Sequence, residues 1–478
     1  MDSHKGIVRL IIETAKERCE ALTNELQRAR EKQYPSNGPR ILIELIVGIN
    51  GAVLEKLRSE EKNEEMFELL TARQITLRVN RYCKLIPYLH DLLGFAEGAE
   101  VKDTPASFVA SISRLVQDHL PNSQLVLASK TELNYSVVQI AKGINNVLSV
   151  AGLKVEQKVP ARFLVITFPR VEAGNILLHC VIAHEVGHGL FQMNEALREL
   201  EPLIKIDDDA PKISKLASRL FEAELKATLG EEGTGQLPLY SSEVQIRSSI
   251  TSFVNNAIRN WIEELSSDAI GLALFGPAYF FSMIHLAIGF QTIDNASQSH
   301  PPNSLRFHLM LLMLGALGES DASMGLLDNL PAPLKSFVEN WKSVSSPQTS
   351  LGGVYEVPIE AVTNLLEPIA KLAHRIVGER AFRAEKQEEI DRLCELIVNG
   401  IPPNELVDFK SESFTYPDMI TILNAGWQVL LGRIEEFAKL LGKSHIAERS
   451  YCRTKLNEVI LKAVELDNIR RMWRPENA

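Results

Sequence analysis

Residues 177–193 read LLHCVIAHEVGHGLFQM, an apolar run that carries two histidines and a glutamate at fixed spacing. On an α-helix, positions four apart differ by about 40° and one turn of rise. His184 and His188 therefore point the same way, and both imidazoles can reach one ion at about 2.0 Å. Glu185 is offset about 100° from His184. It stands beside such an ion without needing to bind it, which suits a base acting on water. Gly187 and Gly189 leave room for another backbone to approach closely. His179, off this face, reads as an ordinary core or surface histidine. Whatever the chain folds into, it must set against this helix a third ligand, a group that orients the imidazoles and a donor for developing charge.

The sequence RNWIEELSSDAIG at 259–271 repeats the same geometry with carboxylates. Glu264 and Asp268 are four apart on an expected helix and share one face. Glu264 can be the third ligand. Asp268 can accept the outward N–H of a ligating imidazole, fixing its tautomer and raising its basicity. Glu263 faces about 100° away and is the weaker candidate. The alternative is a solvated acidic face, which fits poorly with the IGLALFG that follows. A carboxylate pair entering a core requires a partner, and a dication is one.

Around these motifs the expected fold is mainly α with a small β-sheet. Residues 1–120 read as helices, beginning with an amphipathic helix whose apolar positions are Ile7, Leu10, Ile11, Ala15, Cys19, Leu22 and Leu26, not a signal peptide. QYPSNGPR breaks the pattern before a second helix, and the charge run at 55–65 reads as a solvated helix face. SQLVLAS, YSVVQIA and RFLVITF read as strands, the last leading through a turn into the HEVGH helix. A helical stretch at 214–229 is flanked by loop-like IKIDDDAPKIS and GEEGTGQLPLYSS. A long helix follows over about 243–274. The linker SSPQTSLGGVYEVP at 345–358 precedes further helices. This divides the chain at 1–120, 121–344 and 345–478.

With 45% hydrophobic and 23% charged residues, the chain has the balance of an ordinary globular protein. A net charge of −10 argues against a nucleic-acid binder, and the tail IRRMWRPENA reads as a solvated terminus. Five scattered cysteines without a CxxC fit free thiols in a reducing, cytoplasmic compartment. The apolar stretch 269–290 has the length of a membrane span, but Gly276-Pro277 interrupts it, His285 lies within it and no lysine or arginine flanks it closely. It is expected to be a buried helix or helix pair.

HEVGH followed by EELSSD resembles the HExxH plus ExxxD pattern of the gluzincin metallopeptidases. Seventy-five residues separate His188 from Glu264, a spacing similar to the CAAX prenyl protease and HtpX type. SQSHPPNSLRFHL, with His300 and, six residues on, Arg306, looks like that family's SHPPxxxR segment. Ser267 stands where the family commonly has alanine, and Phe307 where an aliphatic residue usually follows the arginine. Over about residues 120–310 the resemblance implies a zincin-like core, flanked by helical N- and C-terminal regions. It implies one Zn²⁺ per chain on His184, His188 and Glu264, with Glu185 as general base, His300 stabilising the oxyanion and Arg306 orienting or neutralising the carboxylates. A fixed donor at the carbonyl oxygen of a peptide under hydrolysis contributes roughly 3–4 kcal/mol on general grounds. CAAX processing is not carried over. The expected substrate is a protein or peptide, with RFLVITF as an edge on which it lies extended. The rival expectation is a zinc-containing scaffold whose core is latent and whose helical flanks recruit a partner protein. Metal-dependent hydrolysis of a non-peptide bond ranks below both.

Overall fold

The computed structural model describes residues 2–203, 215–220, 222, 243–290, 297–316, 330–344, 350–351, 355–356, 364–408, 413–444 and 446–473. The loops expected at 204–214 and 230–242, most of the helical stretch 214–229, most of the 345–358 linker and the last five residues lie outside them. The architecture is mainly helical with a small three-stranded sheet, as expected. By contacts the chain forms two units: one comprises 1–185, 392–426 and 434–478, the other 186–391 and 427–433. This is not the division expected at 120 and 344. The N-terminal helices do not stand apart from the sheet, because they pack directly on its first strand.

The first unit opens with α1 (Asp2–Arg30) and α2 (Gly38–Glu61), which pack against each other. Val8, Ile12, Ala15, Cys19, Leu22, Leu26 and Ala29 are all buried. Their steps of four and three are those of a coiled-coil seam. The first turns therefore bury Val8 and Ile12, whereas Ile7 and Leu10, read as core positions, are 55% and 62% exposed. Pro39 in the first turn of α2 restarts the helix after the expected break. Most of the 55–65 charge run is solvated, but Glu60 is buried and accepts from Arg78 Nε at 2.7 Å. After α3 (Glu64–Leu69), α4 (Ala72–Cys83), α5 (Leu85–Gly98) and α6 (Ala106–His119) come the strands.

β1 (Ser123–Lys130) runs parallel to β3 (Arg162–Pro169) from Ser123↔Arg162 to Lys130↔Pro169. β2 (Ser136–Gln139) pairs antiparallel with the other side of β3, from Ser136↔Thr167 to Gln139↔Leu164. β2 is shorter than YSVVQIA suggested, because α7 (Ile140–Ala151) begins at once. The order β1-β3-β2 makes β3 the central strand. RFLVITF is thus not an edge open to substrate, since β1 and β2 occupy both of its sides. Its unbroken apolar run is that of a strand buried on both faces. All five cysteines are free thiols.

The second unit is built on a long helix, Glu243–Phe275, here termed the carboxylate helix. Gly276, at φ +60°, ends it, and Pro277 starts the tyrosine helix, Pro277–Phe290. A left-handed φ at 276 requires glycine, and a β-carbon there would also stand 2.4 Å from the Phe382 ring. The apolar stretch 269–290 is accordingly a helix pair, buried over 269–284, and among the described residues no helix is long and apolar enough to cross a membrane. The arginine helix, Asn303–Ala316, and the helix Leu366–Val377 both pack on the carboxylate helix.

His179 lies in the first unit, in a short 3₁₀ turn before the HEVGH helix, ringed by Phe108, Phe168 and Tyr135. Its Nδ1 lies 3.2 Å from the Tyr135 hydroxyl, and its Nε2 lies 3.4 Å from the Ala173 carbonyl. A neutral ring donating from Nε2 and accepting at Nδ1 satisfies both. Burial pushes its pKa down to about 4, against a partial opposing effect of the Ala173 carbonyl. The folded state thus binds fewer protons than the unfolded chain between the two pKa values. The stability this histidine contributes is present above about pH 6.5 and is lost as pH falls toward 4. The loss is expected to be on the order of 3 kcal/mol. Urea unfolding across that window should show a shallower pH dependence for His179→Gln, and an unchanged slope would refute the assignment.

Candidate metal centre

The motif histidines sit on α8 (Ile182–Met193), which the sheet delivers through the turn after β3. Ile182, Ala183, Val186, Leu190 and Phe191 are buried and give the helix its packing face. The division between the two units falls within α8, after Glu185. The helix itself is continuous, so His184, Glu185 and His188 are placed by one element. His184 and Glu185 are 6% and 7% exposed. Ligand atoms of His184, His188 and Glu264 all lie within 4.8 Å of one another, an arrangement that can hold a metal ion.

Gly187 makes the helix approach close. A β-carbon at 187 would stand 2.7 Å from the Ser267 carbonyl oxygen and 2.9 Å from the Ser267 Cα. Only a missing side chain lets α8 meet the carboxylate helix backbone to backbone at this point. Ser267 itself is fully buried and donates to the Glu263 carbonyl at 2.9 Å, one turn back on its own helix. Its hydroxyl is thus satisfied within the helix.

Glu264 is the hub. Its Oε1 lies 3.3 Å from His188 Nε2 and 3.5 Å from His300 Nε2, and its Oε2 lies 3.7 Å from Arg306 Nη2. One carboxylate oxygen thus faces the imidazoles and the other faces the guanidinium. Behind the imidazole, His188 Nδ1 lies 3.3 Å from Glu263 Oε1, which also accepts from Gln192 Nε2 at 2.8 Å. At His188 the orienting carboxylate is therefore Glu263, the residue ranked weaker from its angle on the helix. Its flexible side chain bridges that angle. A sequence signal for it existed: Gln192 is four residues beyond His188 and so extends the His184–His188 stripe. The His188 hydrogen bond lowers the Glu263 pKa most, with burial opposing and Gln192 assisting.

Asp268 lies one turn further into the core and takes Arg306 in a two-pronged pair, Nε to Oδ2 at 2.8 Å and Nη2 to Oδ1 at 2.7 Å. The Tyr279 hydroxyl donates to the same Oδ1 at 2.6 Å. Burial alone would lower the Arg306 pKa, but the Asp268 carboxylate and then Glu264 more than reverse this and keep the guanidinium charged. Burial, reinforced by the Asp268 charge, raises the Tyr279 pKa well above the usual phenol value.

His300 is held on a compact turn. Ser297 N–H donates to the His300 carbonyl at 2.9 Å, and the His300 N–H donates to Ser297 Oγ at 2.9 Å. Trp261 Nε1 and Asn260 Nδ2 on the carboxylate helix bond the Ser297 and Gln298 carbonyls. Ser299 Oγ lies 2.8 Å from His300 Nδ1, so a hydroxyl donated there leaves the proton on Nε2, the atom that faces Glu264. The His300 side chain is 59% exposed. Glu264 thus faces His188, His300 and Arg306, and Arg306 in turn pairs with Asp268. Glu263, ranked the weaker candidate, joins them at His188, and Gln192 and Tyr279 do so without having been singled out. The chain matches no protein-family model, no curated protein and no solved structure.

Gly187→Ala should reduce stability by about 1–3 kcal/mol and weaken divalent-metal binding, as read by urea unfolding with and without chelator. Arg306→Ala leaves the Asp268 carboxylate buried without its cation and should cost about 3–5 kcal/mol. Unfolding of the two variants side by side checks both figures, and wild-type-like stability for Arg306→Ala would contradict the buried pair.

Proposed function

We propose that the chain is a zinc-dependent metallopeptidase of the gluzincin type, acting on protein or peptide substrates. The observation that supports this most is the convergence of two imidazoles and a carboxylate, with a second carboxylate behind His188. That donor set, two nitrogens and one oxygen, suits zinc, and three protein ligands leave room for a reactant at the ion. The negative charge of Glu263, Glu264 and Asp268, set against one guanidinium, also favours a dication there.

His184, His188 and Glu264 would hold the zinc. A zinc ion so bound supplies Lewis acidity, which polarises a carbonyl and makes water nucleophilic near neutral pH. Glu185, nearly buried on α8 beside the two ligand histidines, takes the proton of the attacking water and passes it to the leaving amine. His300, exposed enough to meet a substrate, donates from Nε2 to the developing oxyanion. Glu263 fixes the ring of His188 and increases its basicity. Arg306 and Asp268 keep Glu264 turned so that only one of its oxygens faces the ligand histidines.

Elemental analysis of the purified protein should find about one zinc per chain, lost in His188→Ala and in Glu264→Ala. Glu185→Gln should retain the zinc and lose turnover on a peptide library, by a factor on the order of 10² or more. A wild-type protein that takes up no zinc after add-back would rule out the proposal. One that holds zinc but turns over no peptide would favour a scaffold.

A further inference from the structure

Tyr279 is a fully buried tyrosine where phenylalanine would fill the same space. Its hydroxyl reaches Asp268 Oδ1 at 2.6 Å, eleven residues back along the chain, because the chain reverses at Gly276. The carboxylate helix makes room for the ring: a β-carbon at Gly271 would lie 2.8 Å from two of its carbons. Glycine in a helix interior costs about 1 kcal/mol relative to alanine. Two glycines, one at the turn and one under the ring, thus seat one phenol against one carboxylate. That carboxylate also holds Arg306, and Arg306 faces Glu264 Oε2.

We infer that Tyr279 is a positioning residue of the metal site. By donating to Asp268 beside Arg306, it fixes the pair that holds Glu264 Oε2 and so keeps Oε1 presented toward His188 Nε2. The inference rests on the metal reading above, and it adds a residue separated from the ion by Asp268, Arg306 and Glu264. Tyr279 touches neither ion nor substrate, so its effect must appear in zinc affinity and in the geometry of the bound metal.

The test is Tyr279→Phe in the full chain, with zinc affinity read by competition with a chromogenic chelator. The expected result is a rise in zinc Kd of about tenfold. By linkage, about 1.4 kcal/mol of zinc-dependent stabilisation is then lost relative to wild type. The visible absorption bands of the cobalt-substituted protein should shift as well. Ser282→Ala is the control: it removes another buried hydroxyl of the same helix, one bonded to the Ala278 carbonyl, and should lower stability without altering zinc affinity. If Tyr279→Phe does not fold, Gly271→Ala carries the same test, since it displaces the ring and leaves the hydroxyl in place chemically. Unchanged zinc affinity and cobalt spectrum, with apo and zinc forms destabilised equally, would show a purely structural tyrosine and overturn the inference alone. Failure of the wild type to bind zinc would overturn it together with the metal reading.

Discussion

The second unit depends on the pairing of Asp268 with Arg306. Three helices meet at that carboxylate: the one that carries it, the one that supplies the guanidinium and the one that supplies the Tyr279 hydroxyl. A buried ion pair seldom stabilises a protein more than apolar packing of the same volume would. What it does well is specify, because a charge left alone in the interior is expensive and only one arrangement of the helices avoids it. The pair joins the carboxylate helix to the arginine helix and sets the guanidinium against Glu264 Oε2.

Around His188 the same logic appears at the protein surface side of the site. The imidazole stands between two carboxylates, Glu264 at Nε2 and Glu263 at Nδ1. Each ring nitrogen then has its own carboxylate, Nε2 facing Glu264 and Nδ1 facing Glu263. Gln192 holds the outer carboxylate with a hydrogen bond from the same helix that bears the histidine. Orientation of the ring is therefore set by side chains from two helices that Gly187 allows into close contact.

Local pattern made much of this legible. Helical spacing placed His184 with His188 and Glu264 with Asp268, and the Gly276-Pro277 dipeptide marked where the apolar stretch 269–290 turns. The apolar runs marked β1 and β3 as strands. What stayed hidden depends on partners distant in the chain. RFLVITF carried the sign of a central strand, an apolar run without alternation, yet which strands flank it is a matter of topology. In α1 the choice between Ile7 and Val8 for the core turns on the seam shared with α2, and both are apolar. Glu263 was discounted on angle alone, which ignores the reach of a glutamate side chain. Tyr279 gave no local signal at all, since its contact with Asp268 needs a left-handed turn at 276 and a gap at 271. The boundaries at 120 and 344 followed composition, whereas the units follow contacts that join chain segments far apart in sequence.

Gly187 and Ser267 are eighty positions apart, yet the contact between them makes them one evolutionary character. The two middle positions of the motif, Val186 and Gly187, supply no candidate ligand, so the motif alone leaves them free to vary. Here one of them is not: any lineage that gains a side chain at 187 must first move the backbone at 267, and with it the turn that carries Glu264 and Asp268. A side chain at 187 and the present course of the carboxylate helix are therefore mutually exclusive, so the glycine and the backbone it faces can change only together.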